Sequence, residues 1–348
     1  MEVLGKRISD ITALPNWVDD GRVLDGRSAR VDETIHSSWK GNDMSHAQID
    51  RRGFLRASAV AMTAPALGSS LISNARAAGP LKGRIYLTLK YGMIGEKNLS
   101  MADKFKLVKD LGFDGVEVNA PGTNIAEAVE ASDQSGLAID GTVCSTHWRV
   151  RLSDPSEEVR EQALQHFLQA IRDTKKLDGH TCLIVVGHGK DGTADEVWRR
   201  STQQIQKAIP LASRLGVYIA VENVWNQFCY NHEGGADQDA GQFVKYIDEL
   251  NSPWVAMQYD IGNHQKYGNP GDWIRQLGSQ RIVKLDLKGF DRSAGKFMKI
   301  GEGDIDWADV RAALHEIGFV GWAAAEVRGG DRNRLKEVRD NMVKVFGL

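Results

Sequence analysis

The sequence predicts an α/β protein, a single (β/α)8 TIM barrel behind an N-terminal signal segment. Three observations predict it. Eight short β-branched runs alternate strictly with amphipathic helical patterns, the signature of a parallel sheet with helical crossovers. The segment carrying them, 78–348, is close in length to the ~250 residues of one such barrel. The last four strands each end in a carboxylate, about one βα unit apart: Glu222, Asp260, Asp286 and Glu326. An open doubly wound sheet would place a phosphate-binding glycine turn after its first strand, and Lys90-Tyr91-Gly92-Met93-Ile94 is not one.

The elements follow in order. Arg84–Leu89 reads as the first strand, and Ser100 caps a helix over Met101–Leu111 that Gly112 ends. Gly115–Val118 is the second strand, followed by a helix near Ile125–Ser135 closed by Gly136. Ile139–Cys144 is the third. Ser153-Asp154-Pro155 opens a long helix to about Leu177, with Pro155 suited to the first turn. Thr181–Val186 is the fourth strand, with a helix over Ala194–Leu215, and Val217–Val221 the fifth, with a helix over Gly241–Leu250. Val255–Tyr259 is the sixth, followed by a short helix over Gly271–Leu277. Ile282–Leu287 is the seventh, after which Asp306 caps a helix over Trp307–Ile317. Trp322–Ala325 is the eighth strand and Asn333–Phe346 the final helix.

The 348 residues do not all belong to that barrel. Arg51-Arg52-Gly53-Phe54-Leu55, an uncharged run from Ala57 to Ala75 and Ala75-Arg76-Ala77 form the basic, apolar and small-x-small parts of an export signal. The paired arginines resemble the twin-arginine type. The expected division is a disordered or over-annotated extension at 1–43, a signal peptide at 44–77 cleaved after Ala77, and the barrel at 78–348. This makes the protein periplasmic, with the export machinery as a partner and no stable membrane insertion after cleavage. The run is too rich in Ala, Ser and Gly, and too interrupted by Pro65 and Gly68, for a spanning helix. A formal charge of −2, from 44 Lys+Arg against 46 Asp+Glu, gives no general pull toward nucleic acid or anionic lipid. Three cysteines, Cys144, Cys182 and Cys229, are too few for a disulfide scaffold or a Cys-rich zinc module. Cys144 and Cys182 fall on neighbouring strands, but buried free thiols are the expectation.

In a TIM barrel the chemistry gathers at the C-terminal ends of the strands. Four carboxylates crowded there repel one another unless they are protonated or bind a cation. An oxygen-rich site of this kind suits one divalent ion, Mn²⁺ first, with Mg²⁺, Co²⁺ or Zn²⁺ as alternatives.

Val221-Glu222-Asn223, Tyr259-Asp260-Ile261-Gly262-Asn263, Val283–Lys288, Gly301–Asp306 and Ala325-Glu326-Val327 resemble the xylose isomerase-like TIM-barrel superfamily. Within it they resemble the sugar isomerase/epimerase branch of ketose 3-epimerases and hydroxypyruvate isomerases. The resemblance implies that Glu222, Asp260, Asp286 and Glu326 hold a Mn²⁺-like ion. It further implies that Glu222 and Glu326 exchange a proton with the carbon beside a sugar carbonyl, through a cis-enediolate. The sequence departs from the branch at Asp286, where many relatives have His. This keeps an oxygen-loving ion, disfavours Zn²⁺, and leaves room for His264 to serve as the variable ligand.

Other strand-end residues are candidates for substrate contact: His147, Trp148, His188, Asn223, Trp225, His264, Lys288 and Arg328. Loop packing is the competing reading for the histidines and tryptophans, and pairing with a ligand carboxylate for Lys288. The lead reading is a metal-dependent isomerase or epimerase of an unphosphorylated sugar or keto-sugar, since phosphorylated sugars are largely cytoplasmic. A lyase or dehydratase acting by β-elimination on a 3-keto-glycoside or inosose is the alternative, with His147 or His188 as its extra acid. A non-catalytic sugar-binding protein is the second. An apurinic endonuclease would need a His-rich trinuclear zinc cluster and a basic surface, and neither is present in the pattern. The expected partner is a small-molecule carbohydrate, with no nucleic acid; whether the chain forms a homo-oligomer stays open.

Overall fold

Ten strands and nine helices make up residues 81–348, the part of the chain that the computed structural model describes. The expected extension (1–43) and signal segment (44–77) lie outside those residues. The strands are β1 (Ile85–Leu89), β2 (Gly115–Ala120), β3 (Ala138–Cys144), β4 (Thr181–Ile184), β5 (Tyr218–Glu222), β6 (Val255–Asp260), β7 (Ile282–Leu287), β8 (Gly289–Asp291), β9 (Lys296–Met298) and β10 (Gly321–Ala325). The helices are α1 (Met101–Asp110), α2 (Ile125–Ser135), α3 (Glu157–Lys176), α4 (Ala194–Leu215), α5 (Gly241–Glu249), α6 (Ile261–Gln265), α7 (Pro270–Leu277), α8 (Trp307–Glu316) and α9 (Arg332–Phe346). Among the described residues no helix is long and apolar enough to cross a membrane.

Eight strands pair in parallel in the order β1-β10-β7-β6-β5-β4-β3-β2. The seam between β1 and β2 is narrow: a parallel bridge joins Lys90 to Glu117, and the Leu87 carbonyl accepts from the Asp114 N–H at 2.8 Å. This is the expected (β/α)8 barrel. The helices start where the sequence supplies caps. Ser100 accepts from the Asp103 N–H, and Thr193 with Glu196 forms a reciprocal capping box. Gly136 and Gly216 close α2 and α4 in the left-handed conformation.

Three local features differ from expectation. Helix α3 begins at Glu157, because the Ser156 side chain accepts from Val159 N–H and takes the cap, leaving Pro155 outside. A short helix, α6, starts immediately after Asp260, whose side chain caps it through the Asn263 N–H. Strands β8 and β9 form an antiparallel hairpin after β7, pairing Phe290 with Phe297 and Asp291 with Lys296. Two strands of three residues each are too short to show a periodicity. All three cysteines are free thiols, and Cys144 and Cys182 are buried.

Candidate active site

Sheet register is what gathers the carboxylates. In parallel neighbours, residues in register project to the same side of the sheet, and Asp260 is in register with Asp286. Glu222 ends β5, and Glu326 follows β10, where its N–H donates to the Leu287 carbonyl at 3.0 Å. One ligand oxygen from each of Glu222, Asp260, Asp286 and Glu326 lies within 4.8 Å of the others. The first three are buried and Glu326 is partly buried.

Two lysines already share this ring. Lys288 Nζ lies 2.8 Å from Asp260 and 2.6 Å from Glu326, and Lys90 Nζ lies 3.0 Å from Asp286. Gly262 lets α6 approach Lys288 so closely, since a Cβ there would fall 2.2 Å from Lys288 Cγ. Two ammonium groups against four carboxylates leave the ring short of positive charge. Burial, then Glu326 and Asp286, push the Glu222 carboxyl well above its ordinary value. Burial pushes Asp286 up to about 7 and Asp260 up to about 6, against the pull of Lys90 and Lys288 respectively. For Glu326 burial is outweighed by Lys90 and Lys288, which hold it below the usual range.

The donor set fits a divalent ion. Among the described residues Glu222 makes no hydrogen bond or ion pair, although it is only 7 % exposed. Asp260 Oδ2 and Glu326 Oε2 share one partner among the described residues, the Lys288 ammonium at 2.8 and 2.6 Å, so Glu222 is the ring carboxylate left without a donor. Buried carboxylate oxygens without donors are costly unless a cation meets them. Four oxygen ligands and a deficit of two charges suit a doubly charged, oxygen-preferring ion.

The ring opens into a cavity of about 450 Å³. His147, Trp148, Trp225 and Lys288, all sequence candidates, line it together with Glu222 and Glu326. His147 Nδ1 accepts from the Val185 N–H at 3.2 Å, which leaves the proton of the neutral ring on Nε2. Burial, reinforced by Lys90, lowers its pKa to about 4. Trp225 donates to the Asn263 carbonyl at 2.7 Å and stacks on Phe297 at 4.7 Å. Phe297, on the missed hairpin, is thereby brought to the mouth.

The remaining candidates stand elsewhere. Asn223 is fully buried behind the ring: its amide donates to the Asp260 carbonyl (2.9 Å) and accepts from the Asp260 N–H (2.8 Å), so it braces a ligand instead of lining the cavity. His264 is turned away by α6, its ring on Trp273 at 3.6 Å and its Nδ1 3.2 Å from the Tyr230 hydroxyl. The ring therefore comprises four carboxylates without an imidazole. His188 caps a short 3₁₀ turn by accepting from Lys190 N–H, outside the cavity lining. Arg328 lines a neighbouring cavity.

Sequence reasoning missed the polar interior beneath the ring. Lys284, Glu117, Asp140 and Gln258 are buried inside the barrel. Lys284 Nζ lies 2.6 Å from Glu117 Oε1 and also contacts Asp140, while Lys90 bridges Glu117 to Asp286. Gln258 donates to Asp286 at 2.9 Å. The signal was available in the period of two: Thr88 and Lys90, Gln258 and Asp260, and Lys284 and Asp286 occupy the same face of their strands.

Comparison with known proteins agrees with this architecture. The family model described as xylose isomerase-like TIM barrel matches residues 105–344. An L-ribulose-5-phosphate 3-epimerase of Salmonella paratyphi C (strain RKS4594) is 26% identical over 233 residues, covering 63% of this chain and 79% of that protein. Among solved structures, a D-tagatose 3-epimerase-like protein superposes with a TM-score of 0.62 at 19% identity, covering 75% of this chain and 98% of that one. The IOLI protein, solved with a bound zinc atom, gives 0.62 at 16% identity over 75% and 98% of the two chains. With the family model spanning the barrel from α1 into α9 and sugar epimerases among its relatives, the chain belongs to the xylose isomerase-like TIM-barrel family.

Proposed function

We propose that the protein is a metal-dependent isomerase or epimerase of an unphosphorylated sugar or keto-sugar, exported to the periplasm. The observation that carries this reading is the convergence of Glu222, Asp260, Asp286 and Glu326, with ligand oxygens within 4.8 Å of one another, two of which, Glu222 and Glu326, line a sugar-sized cavity. These four residues would hold the ion, Mn²⁺ in preference to Zn²⁺ given an all-oxygen donor set. When bound, a divalent ion supplies Lewis-acid polarisation of the substrate carbonyl.

The chain's own groups do the rest. Glu222 and Glu326 reach the cavity from different strands, so one removes the proton beside the carbonyl and the other returns it to the opposite face or the neighbouring carbon. The substrate passes through a cis-enediolate between these transfers. His147, neutral and protonated on Nε2, donates to a sugar hydroxyl, and Trp225 with Phe297 forms an apolar wall for a sugar face. The signal-like segment at 44–77 supports export, and with it an unphosphorylated substrate.

The test is NMR of the Mn²⁺-loaded protein with ketoses in D₂O. Deuterium is expected at the carbon beside the carbonyl, with the epimer or isomer accumulating. Products of β-elimination would replace this reading with the lyase one. Failure to retain a stoichiometric divalent ion would remove it.

A further inference from the structure

Beside the catalytic mouth lies a second cavity of about 650 Å³ that shares Lys288, Phe297 and Glu326 with the first. The two cavities are therefore neighbours across Phe297. The second cavity is strongly basic: Lys296, Lys299, Arg328 and Arg334 join Lys288 in its wall, against Glu302 and Glu326. Its far side is built and held. Glu337 pins Lys299 and Arg334 together, each at 2.6 Å, and Arg334 Nε donates to the Arg328 carbonyl at 3.1 Å. That arrangement leaves two cationic heads uncommitted. Arg328 and Lys296 make no side-chain hydrogen bond or ion pair among the described residues, although Lys296 stands opposite Asp291 across the hairpin.

We propose that this cavity is an anion-accepting subsite, so that the unphosphorylated sugar turned over at the carboxylate ring carries a carboxylate at its far end. The inference rests on the sugar-isomerase reading and adds the chemical class of the substrate. A planar guanidinium and an ammonium in one cavity wall suit an oxyanion, and charge-assisted hydrogen bonds are about twice as strong as neutral ones. Lys90 and Lys288 are committed to the ring carboxylates whereas Arg328 and Lys296 are not, so the acidic group is drawn to the second cavity and the substrate binds in one orientation. Hairpin β8–β9 supplies Lys296 and Phe297, which makes it the element that sets this specificity.

The test uses D-fructose, D-fructuronate and D-fructose 6-phosphate, which share a carbon chain and differ in the terminal group. Binding to the full Mn²⁺-loaded chain is measured by calorimetry at low and high salt, and solvent-deuterium exchange is followed in parallel. D-fructuronate is expected to bind about 10- to 100-fold more tightly than D-fructose, with the preference shrinking in salt. In the Lys296→Gln/Arg328→Gln double variant the preference should fall below about 3-fold while the melting profile stays intact. Tighter binding of fructuronate than of the phosphate ester supports the carboxylate; tighter binding of the phosphate ester overturns it, together with the unphosphorylated part of the proposed function. Equal binding of all three, or a preference that survives the double variant, overturns the subsite. Anionic preference without deuterium exchange would keep the subsite and sink the isomerase reading, and exchange without preference would do the reverse.

Discussion

Replacing Lys284 by methionine removes the one ammonium that, among the described residues, sits wholly inside the barrel. Lys284 is 0 % exposed, and its Nζ is held by Glu117 at 2.6 Å and by Asp140. Methionine fills a similar volume, so the loss is electrostatic. Asp140 is left with the Thr88 hydroxyl, which donates to Oδ1 at 2.7 Å, and Glu117 retains Lys90 and Gln258. Breaking a buried pair from one side costs about 3–5 kcal/mol. Since Glu117 keeps a second cation, the lower end applies, about 3 kcal/mol. At roughly 2–4 °C per kcal/mol for a domain of this size, the melting temperature should fall by about 6–12 °C. Circular dichroism melts at pH 7 and pH 4.5 check this. The deficit should narrow at the lower pH, because carboxylates stripped of their cation take up a proton. A melting temperature within about 2 °C of the parent, or a deficit that does not shrink toward acid, would refute the claim that this network holds the barrel interior together.

Glu222→Gln and Glu326→Gln should each lower kcat by about 10²- to 10⁴-fold in steady-state assays, the range for a lost proton-transfer group. Glu222→Gln should also raise the melting temperature of the metal-free protein, because it removes a buried charge that lacks a donor. Mn²⁺ at a hundredfold over its Kd should stabilise the fold by about 2.7 kcal/mol, visible as an upward melting shift that Asp260→Asn abolishes. Acid stability should track Glu117. Burial would raise its pKa, but Lys284 and Lys90 bring it from 4.5 down to about 2. Its stabilising contribution is then complete above about pH 4.5 and lost as pH falls toward 2, so Glu117→Gln should flatten that limb of a pH–denaturation series.

How much of the site was legible follows from what kind of residue carried it. Glu222, Asp260, Asp286 and Glu326 could be placed together because barrel closure turns a spacing of one βα unit into adjacency at one rim. His147, Trp148, Trp225 and Lys288 follow their strands closely enough to share that rim. His264 and Asn223 lie just as near in sequence but serve other ends: α6 carries His264 onto Trp273, and Asn223 fastens the Asp260 backbone. Loop direction after a strand is decided by packing partners distant in the chain, so strand-end position alone does not fix where such a side chain points.

By itself the sequence determined the alternation of strand and helix and the caps that start and stop most helices. Those depend on local propensity and on periods of 2 and 3.6 residues. Only the tertiary structure decided the cation count. Lys90 follows β1 and Lys284 lies on β7, Glu117 and Asp140 lie on β2 and β3, and no local rule pairs them. It also decided that a hairpin of six paired residues brings Phe297 to the mouth and Lys296 to the cavity beside it. Coulomb energy depends on distance through space, and in a closed barrel the residues nearest in space are often those far apart along the chain.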